Sequence, residues 1–237
     1  MRERIYTIPV NEAFEQCGDG CPLCRLYEKL EDTELDLILG ASMMEPDVRQ
    51  KTNELGFCAA HYRRMFTMKN RLGMGLMLES HLAKLKNELT PGGVFSRDPS
   101  DKPIRRISDL EGSCYVCDRI EEKFSKMLET AVYLYQTEDA FREMLKNTKM
   151  ICLPHCRRIL AAASGNVPKK VYSDLFSDIS GIMLGYLNTL QEDVSWFCRK
   201  FDYRYDDQPW GNSRDSVERS IRFLTGGSER TIPGSGK

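Results

Sequence analysis

The chain has 237 residues, 41% of them hydrophobic, and a formal net charge of −1. That length supports one large or two small domains with a buried core, and the balanced charge gives no overall basic field for nucleic acid or an anionic membrane. No stretch reaches the roughly 18 uninterrupted apolar residues of a membrane helix. The opening MRERIYTIPVNEAFEQ lacks the apolar core of a secretory signal, so a cytoplasmic, reducing location is expected. Nine cysteines in such a place suit metal better than disulfides.

The first element begins beside CPLC, where Leu23, Leu26, Leu30 and Leu37 mark one helical face that ends at Gly40. Pro46 opens a short helix and Gly56 closes it. Then comes GFCAAHYRRM (56–65), followed by an apolar run through GLMLESHL (75–82). TPGGVFSRDPSDKP (90–103), rich in Pro, Gly and Asp, reads as a linker, with a boundary near residue 105. After CYVC, Ile120, Phe124, Met127, Ala131 and Leu134 recur at helical intervals, and Thr137 is placed as the cap of a second short helix. MICLPHCRRI (150–159) follows. A long periodic run from 171 to 201 leads to FDYRYDDQPWG and a short capped helix at 214–224. No alternating strand pattern of useful length stands out. The expected fold is all-α: an internally duplicated helical bundle, each half a helix–short helix–helix unit. The expected divisions are 1–104, 105–227 and a disordered tail, 228–237.

The duplication is clearest in the cysteines. Cys21 and Cys24 (CPLC) precede Cys58 and His61 (CAAH), and Cys114 and Cys117 (CYVC) precede Cys152 and His155 (CLPH), at nearly equal intervals. Arg63–Arg64 and Arg157–Arg158 follow the two histidines at the same distance. Ligand-type residues three apart at a helix start lie one turn apart and can address one ion, while the helix N-terminus favours thiolate. Three Cys and one His form an ordinary closed zinc set. The pairs within one copy can meet, since a helix of residues 22–39 rises about 27 Å and the chain from 40 to 57 can return that far. The expectation is therefore one tetrad per copy: Cys21, Cys24, Cys58 and His61, then Cys114, Cys117, Cys152 and His155. The arginine pairs would offset the net −1 charge of a zinc–trithiolate–imidazole centre.

Two zinc ions are the leading expectation, with an iron–sulfur cluster as alternative. A redox dithiol is prompted by CPLC but lacks a strand–helix–strand context, and Tyr115 replaces its Pro in the second copy. Both sites have four candidate ligands, and no H-E-x-x-H, P-loop, G-x-S-x-G or G-x-G-x-x-G motif is present. His81 is placed as a structural residue. Cys17 and Cys156 neighbour the ligands and could substitute for them; together with Cys198 they are read as free buried thiols.

CPLC, GFCAAH, CYVC, CLPH and FDYRYDDQPWG together resemble an uncharacterised bacterial family with duplicated CPxC…GFCxxH and CxxC…CxPH halves and a terminal FDYR…PWG segment. The resemblance covers nearly the whole chain and implies the boundaries and the ligands, with no established activity. Some members carry transporter-related labels, but an export signal and α/β lobes are not found here. The function expected is a non-enzymatic interaction or regulatory module with a protein partner. A thiol-based or iron–sulfur redox sensor or enzyme is the alternative. A nucleic-acid-binding regulator comes third, because acidic residues interleave with every basic stretch.

Overall fold

A computed structural model describes residues 5–90 and 98–227. Among these there are eleven α-helices and no strand. None of these helices is long and apolar enough to cross a membrane. In chain order they are α1 (Thr7–Glu15), α2 (Pro22–Leu39), α3 (Pro46–Leu55), α4 (Ala59–Thr67), α5 (Arg71–Glu88), α6 (Asp101–Glu111), α7 (Tyr115–Thr137), α8 (Asp139–Lys146), α9 (Leu153–Ala163), α10 (Lys169–Arg199) and α11 (Ser216–Thr225). Pro46 and Gly56 bound α3 as the sequence suggests, Gly56 adopting φ 60° just past its end. Thr137 does not cap α8: it is the last residue of α7, its hydroxyl donates to the Tyr133 carbonyl, and Glu138 takes the cap position. Helices α1 and α6 were not anticipated, and α6 begins inside the stretch read as a linker. Residues 91–97 of that linker and the tail 228–237 lie outside the described residues.

The chain divides into two compact units, Met1–Lys29 with Phe124–Lys237, and Leu30–Lys123. This corrects the division at 1–104 and 105–227, because each unit draws elements from both sequence halves. The cuts fall within α2 and α7.

In the discontinuous unit, α1 meets α8 through the edge-to-face rings of Phe14 and Phe141, 4.9 Å apart. Helices α8, α9 and α11 pack on α10, where Ile151, Ile159, Leu175, Ile179 and Phe223 are fully buried. After α10 the chain wraps around one cation. Lys200 is buried, and its ammonium donates to the carbonyls of Tyr205, Asp206 and Gln208 at 2.5–2.9 Å. Trp196 Nε1–H donates to the Pro209 carbonyl, and Trp210 packs against Phe197 and Phe201. The aromatic loop is thus fastened to the end of α10.

In the continuous unit, α3 lies against α5, with α4 and α6 packed on the same helix around Leu35, Ile38, Met65 and Met77. His81 is structural as expected: it is buried, with Nδ1 3.0 Å from the Asn53 carbonyl. A Cβ on Gly56 would stand 3.3 Å from the His81 ring, so both the positive φ and this close approach call for glycine.

Candidate metal centres

All eight predicted ligands are gathered into two groups of four, but the pairing is crossed. One group is Cys21, Cys24, Cys152 and His155; the other is Cys58, His61, Cys114 and Cys117. The expectation of one tetrad per copy is therefore corrected: the C-x2-C pair of each copy meets the C-x2-H pair of the other. Each group nevertheless lies wholly inside one compact unit.

The local reasons are visible on both sides. Cys58 and Cys152 are the N-cap residues of α4 and α9, with His61 and His155 one turn on. Cys21 and Cys114 stand immediately before α2 and α7, with Cys24 and Cys117 in their first turns. In the continuous unit the approach to α7 is tied to the end of α3. Tyr115 N–H donates to the Gly56 carbonyl at 3.0 Å, the Ser113 hydroxyl to the Leu55 carbonyl at 2.7 Å, and Arg106 to the Glu54 carbonyl at 2.7 Å. Those bonds deliver Cys114 and Cys117 to Cys58 and His61. Spacing permitted either pairing; α2, at about 27 Å, carries the chain away from Cys24, and these three bonds to backbone carbonyls decide for the crossed one.

The donor geometry fits one tetrahedral ion per group. Zn–S bonds of about 2.3 Å and Zn–N bonds of about 2.0–2.1 Å at the tetrahedral angle place sulfurs about 3.8 Å apart and sulfur about 3.5 Å from nitrogen. In the first centre Cys24 Sγ is 3.6 Å from Cys152 Sγ, and His155 Nδ1 is 3.6, 3.3 and 3.2 Å from the sulfurs of Cys21, Cys24 and Cys152. In the second, Cys58 Sγ and Cys117 Sγ are 3.9 Å apart, and His61 Nδ1 is 3.2, 3.2 and 3.5 Å from Cys58, Cys114 and Cys117. Both histidines present Nδ1 to the sulfurs.

Each centre holds one thiol of lowered pKa beside a raised one. Burial pushes Cys21 up, but hydrogen bonds with Cys152, Cys24 and His155 outweigh it and hold it well below the usual thiol value. Cys114 is likewise raised by burial, yet the His61 ring and the backbone N–H groups of Cys117 and Cys58 bring it to about 6. Once one sulfur is charged, a second thiolate beside it is repelled. Cys152 accordingly lies at about 12, through its contact with Cys21, and Cys117 is raised by burial and by Cys114. A divalent cation removes that repulsion, which is how such a cluster favours metal over protons.

The surroundings differ. In the second centre His61 Nε2 lies 3.1 Å from Glu31 Oε1, while Arg64 pairs with both Glu31 and Asp32. Glu31 thus holds the ring whose Nδ1 faces the three sulfurs. In the first centre the ring of His155 packs on Phe124, centroids 5.3 Å apart, and the Arg158 guanidinium lies 4.5 Å from the other ring's centroid. Past α11, Gly227 N–H donates to Cys24 Sγ at 3.3 Å, and Gly226 sits where a Cβ would be 3.5 Å from Cys152 Sγ. Arg63 and Arg157 are exposed; only the second arginine of each repeated pair turns inward.

Sequence reasoning missed Glu31, which lies seven residues beyond Cys24 in an acidic run without a motif, and missed the Gly226–Gly227 cover. It placed Phe124 only as core. Cys17, Cys156 and Cys198 belong to neither group. Cys17 Sγ is bonded to the Phe14 carbonyl and Cys156 Sγ to the Ile151 carbonyl, burial pushes Cys156 up to about 12, and Cys198 is exposed. Beside the first centre a cleft of about 1250 Å³ runs between α2, α10 and α11, with Cys21, Cys24, Glu28, Gly185 and Tyr186 in its wall.

Compared with known proteins, residues 1–231 match the model of a family described as "Family of unknown function (DUF6062)", and the chain belongs to that family. No curated protein and no solved structure matches it.

Proposed function

We propose that this DUF6062 chain is a zinc protein, with one structural Zn²⁺ in each Cys3His group, that serves as a non-enzymatic interaction or regulatory module in the cytoplasm. The observation that carries the metal reading is donor spacing: all four ligand atoms of each group lie within 4.8 Å of one another, the size of a single tetrahedral ion. An iron–sulfur cluster spreads its ligands over several iron atoms and needs a wider cage. Four protein ligands leave no open position for water or substrate, which favours a structural role. The eight ligand cysteines and histidines tie together segments far apart in sequence, so metal binding contributes directly to folding.

The interaction reading draws on α10, where Phe176, Leu184 and Leu187 are 51%, 52% and 40% exposed along one face of the helix. A reducing compartment suits nine cysteines with no disulfide among them. Elemental analysis of anaerobically purified protein tests the centre of the proposal: two zinc per chain is expected. No bound metal, or iron with visible absorption, overturns it.

A further inference from the structure

The ligand cysteines of the two centres are unequally buried. In the first, Cys21, Cys24 and Cys152 are 5%, 6% and 0% exposed, and Cys24 Sγ accepts the Gly227 N–H, which draws electron density from the sulfur. In the second, Cys58 and Cys117 are half-buried while Cys114 and His61 are buried. These two half-buried cysteines are also neighbours, their sulfurs 3.9 Å apart, at the starts of two different helices. Proximity alone does not separate the centres, since Cys24 and Cys152 are closer still at 3.6 Å. Access does.

We infer that the Cys58–Cys117 pair of the second centre is an oxidation site for hydroperoxides, and that its oxidation releases the metal from that centre alone. The inference rests on the zinc reading above. One thiolate attacks an oxygen of the peroxide, the O–O bond breaks, and a sulfenic acid and hydroxide (or alkoxide) form. The second thiolate then attacks the sulfenic sulfur, the S–S bond forms and a second hydroxide leaves. Two thiolates lose two electrons in total and the peroxide gains them. The disulfide sulfurs no longer bind Zn²⁺ usefully, and Cys114 with His61 are too few to retain it. A disulfide requires the sulfurs to close to about 2.05 Å, a movement within reach of two half-exposed side chains. The cleft that reaches Cys21 and Cys24 is the competing route, and it makes the inference testable against the first centre.

The experiment uses the full chain carrying Cys198→Ser, which removes the exposed competing thiol, purified anaerobically and assayed for zinc before treatment. Hydrogen peroxide is titrated in while a zinc indicator records release and peptide mapping locates disulfides. The expected result is release of one of two zinc ions per chain, with a Cys58–Cys117 linkage, restored by a dithiol reductant and added zinc. Release from the first centre first, loss of both ions together, or release of one ion without that linkage overturns the inference. So does retention of both ions while Cys17 is oxidised. Because zinc is counted before peroxide is added, a chain that starts without zinc fails the metal reading instead, and the two failures stay distinct.

Discussion

Two centres with the same ligands in the same spacing are built into different surroundings. The first is enclosed by Phe124, Arg158 and the Gly226–Gly227 turn, and all four of its ligands are buried. The second is steadied by charge, with Glu31 and Arg64 behind His61, and two of its cysteines are only half-buried. Chain topology contributes little to the contrast. The first joins Cys24 to Cys152, 128 residues on, and the second His61 to Cys114, 53 residues on; by loop-closure entropy that ratio is worth only about 0.8 kcal/mol. Burial and the partners of each imidazole therefore set the difference, and a ligand motif by itself says little about how tightly its ion is held.

The largest expected effect comes from removing a ligand. Cys152→Ser and Cys117→Ser should each lose one zinc per chain, and each should lower the unfolding midpoint by about 10 °C or more, the shift of roughly 4 kcal/mol in a chain of this size. The buried first centre should lose more. Amide exchange locates the damage: for Cys152→Ser in Met1–Lys29 with Phe124–Lys237, for Cys117→Ser in Leu30–Lys123. Loss of protection along 1–104 or 105–227 instead, or emptying of both centres by one substitution, would break the crossed pairing.

A second substitution asks whether the discontinuous unit depends on the proposed metal everywhere. Lys200→Met removes the ammonium that three carbonyls share. Hydrogen bonds to a charged group contribute about 1.5–3 kcal/mol, and water can reach part of this loop, so a cost of about 2–3 kcal/mol is expected. Exchange should rise across 201–210 with both zinc ions retained. Loss of the first ion as well would mean that the aromatic loop and the metal centre form one cooperative element.

The sequence carried the helices and the ligands but not their partnership. Apolar periodicity located α2, α7 and α10 because each buries one stripe, and Pro46 and Gly56 bounded α3 through backbone constraints that need no tertiary context. The amphipathic α1 was too short to announce itself, and α6 was hidden by the Pro and Asp at its start. The crossed tetrads depend on long-range backbone bonds such as Tyr115 to Gly56, for which neither residue type gives a signal. Glu31 was illegible for the same reason: on α2 it is one acid among several, and only the fold sets it against His61.

Glu31→Gln tests the charged support directly. The amide keeps the shape but loses the charge that faces His61 Nε2 and orients the ring, so the second centre should bind zinc about 10–100-fold more weakly. Competition with a chelator should show two zinc populations in this variant, the first unchanged. Equal weakening of both centres would remove the contrast between them, and no weakening would leave Glu31 as a surface partner of Arg64 alone.

The smallest effect sharpens the comparison most, because it sets two repeated residues against each other. Arg64 and Arg158 occupy equivalent places after their histidines, yet one pairs with carboxylates and the other lies over Phe124. Arg158→Ala should cost about 1 kcal/mol, a cation–π contribution from a half-buried guanidinium to the buried Phe124 ring, and should leave zinc affinity at both centres unchanged, since Phe124 packs on His155 without donating or accepting a proton. Arg64→Ala should act through Glu31. Without the guanidinium the carboxylate is free to turn, so the second centre should weaken by less than Glu31→Gln produces, and Arg64→Ala combined with Glu31→Gln should be no worse than Glu31→Gln alone. Chelator competition on the single and double variants measures this. Additive losses in the double variant would show Arg64 acting on the metal's charge directly, as the sequence pattern first suggested, and not through the ring that Glu31 holds.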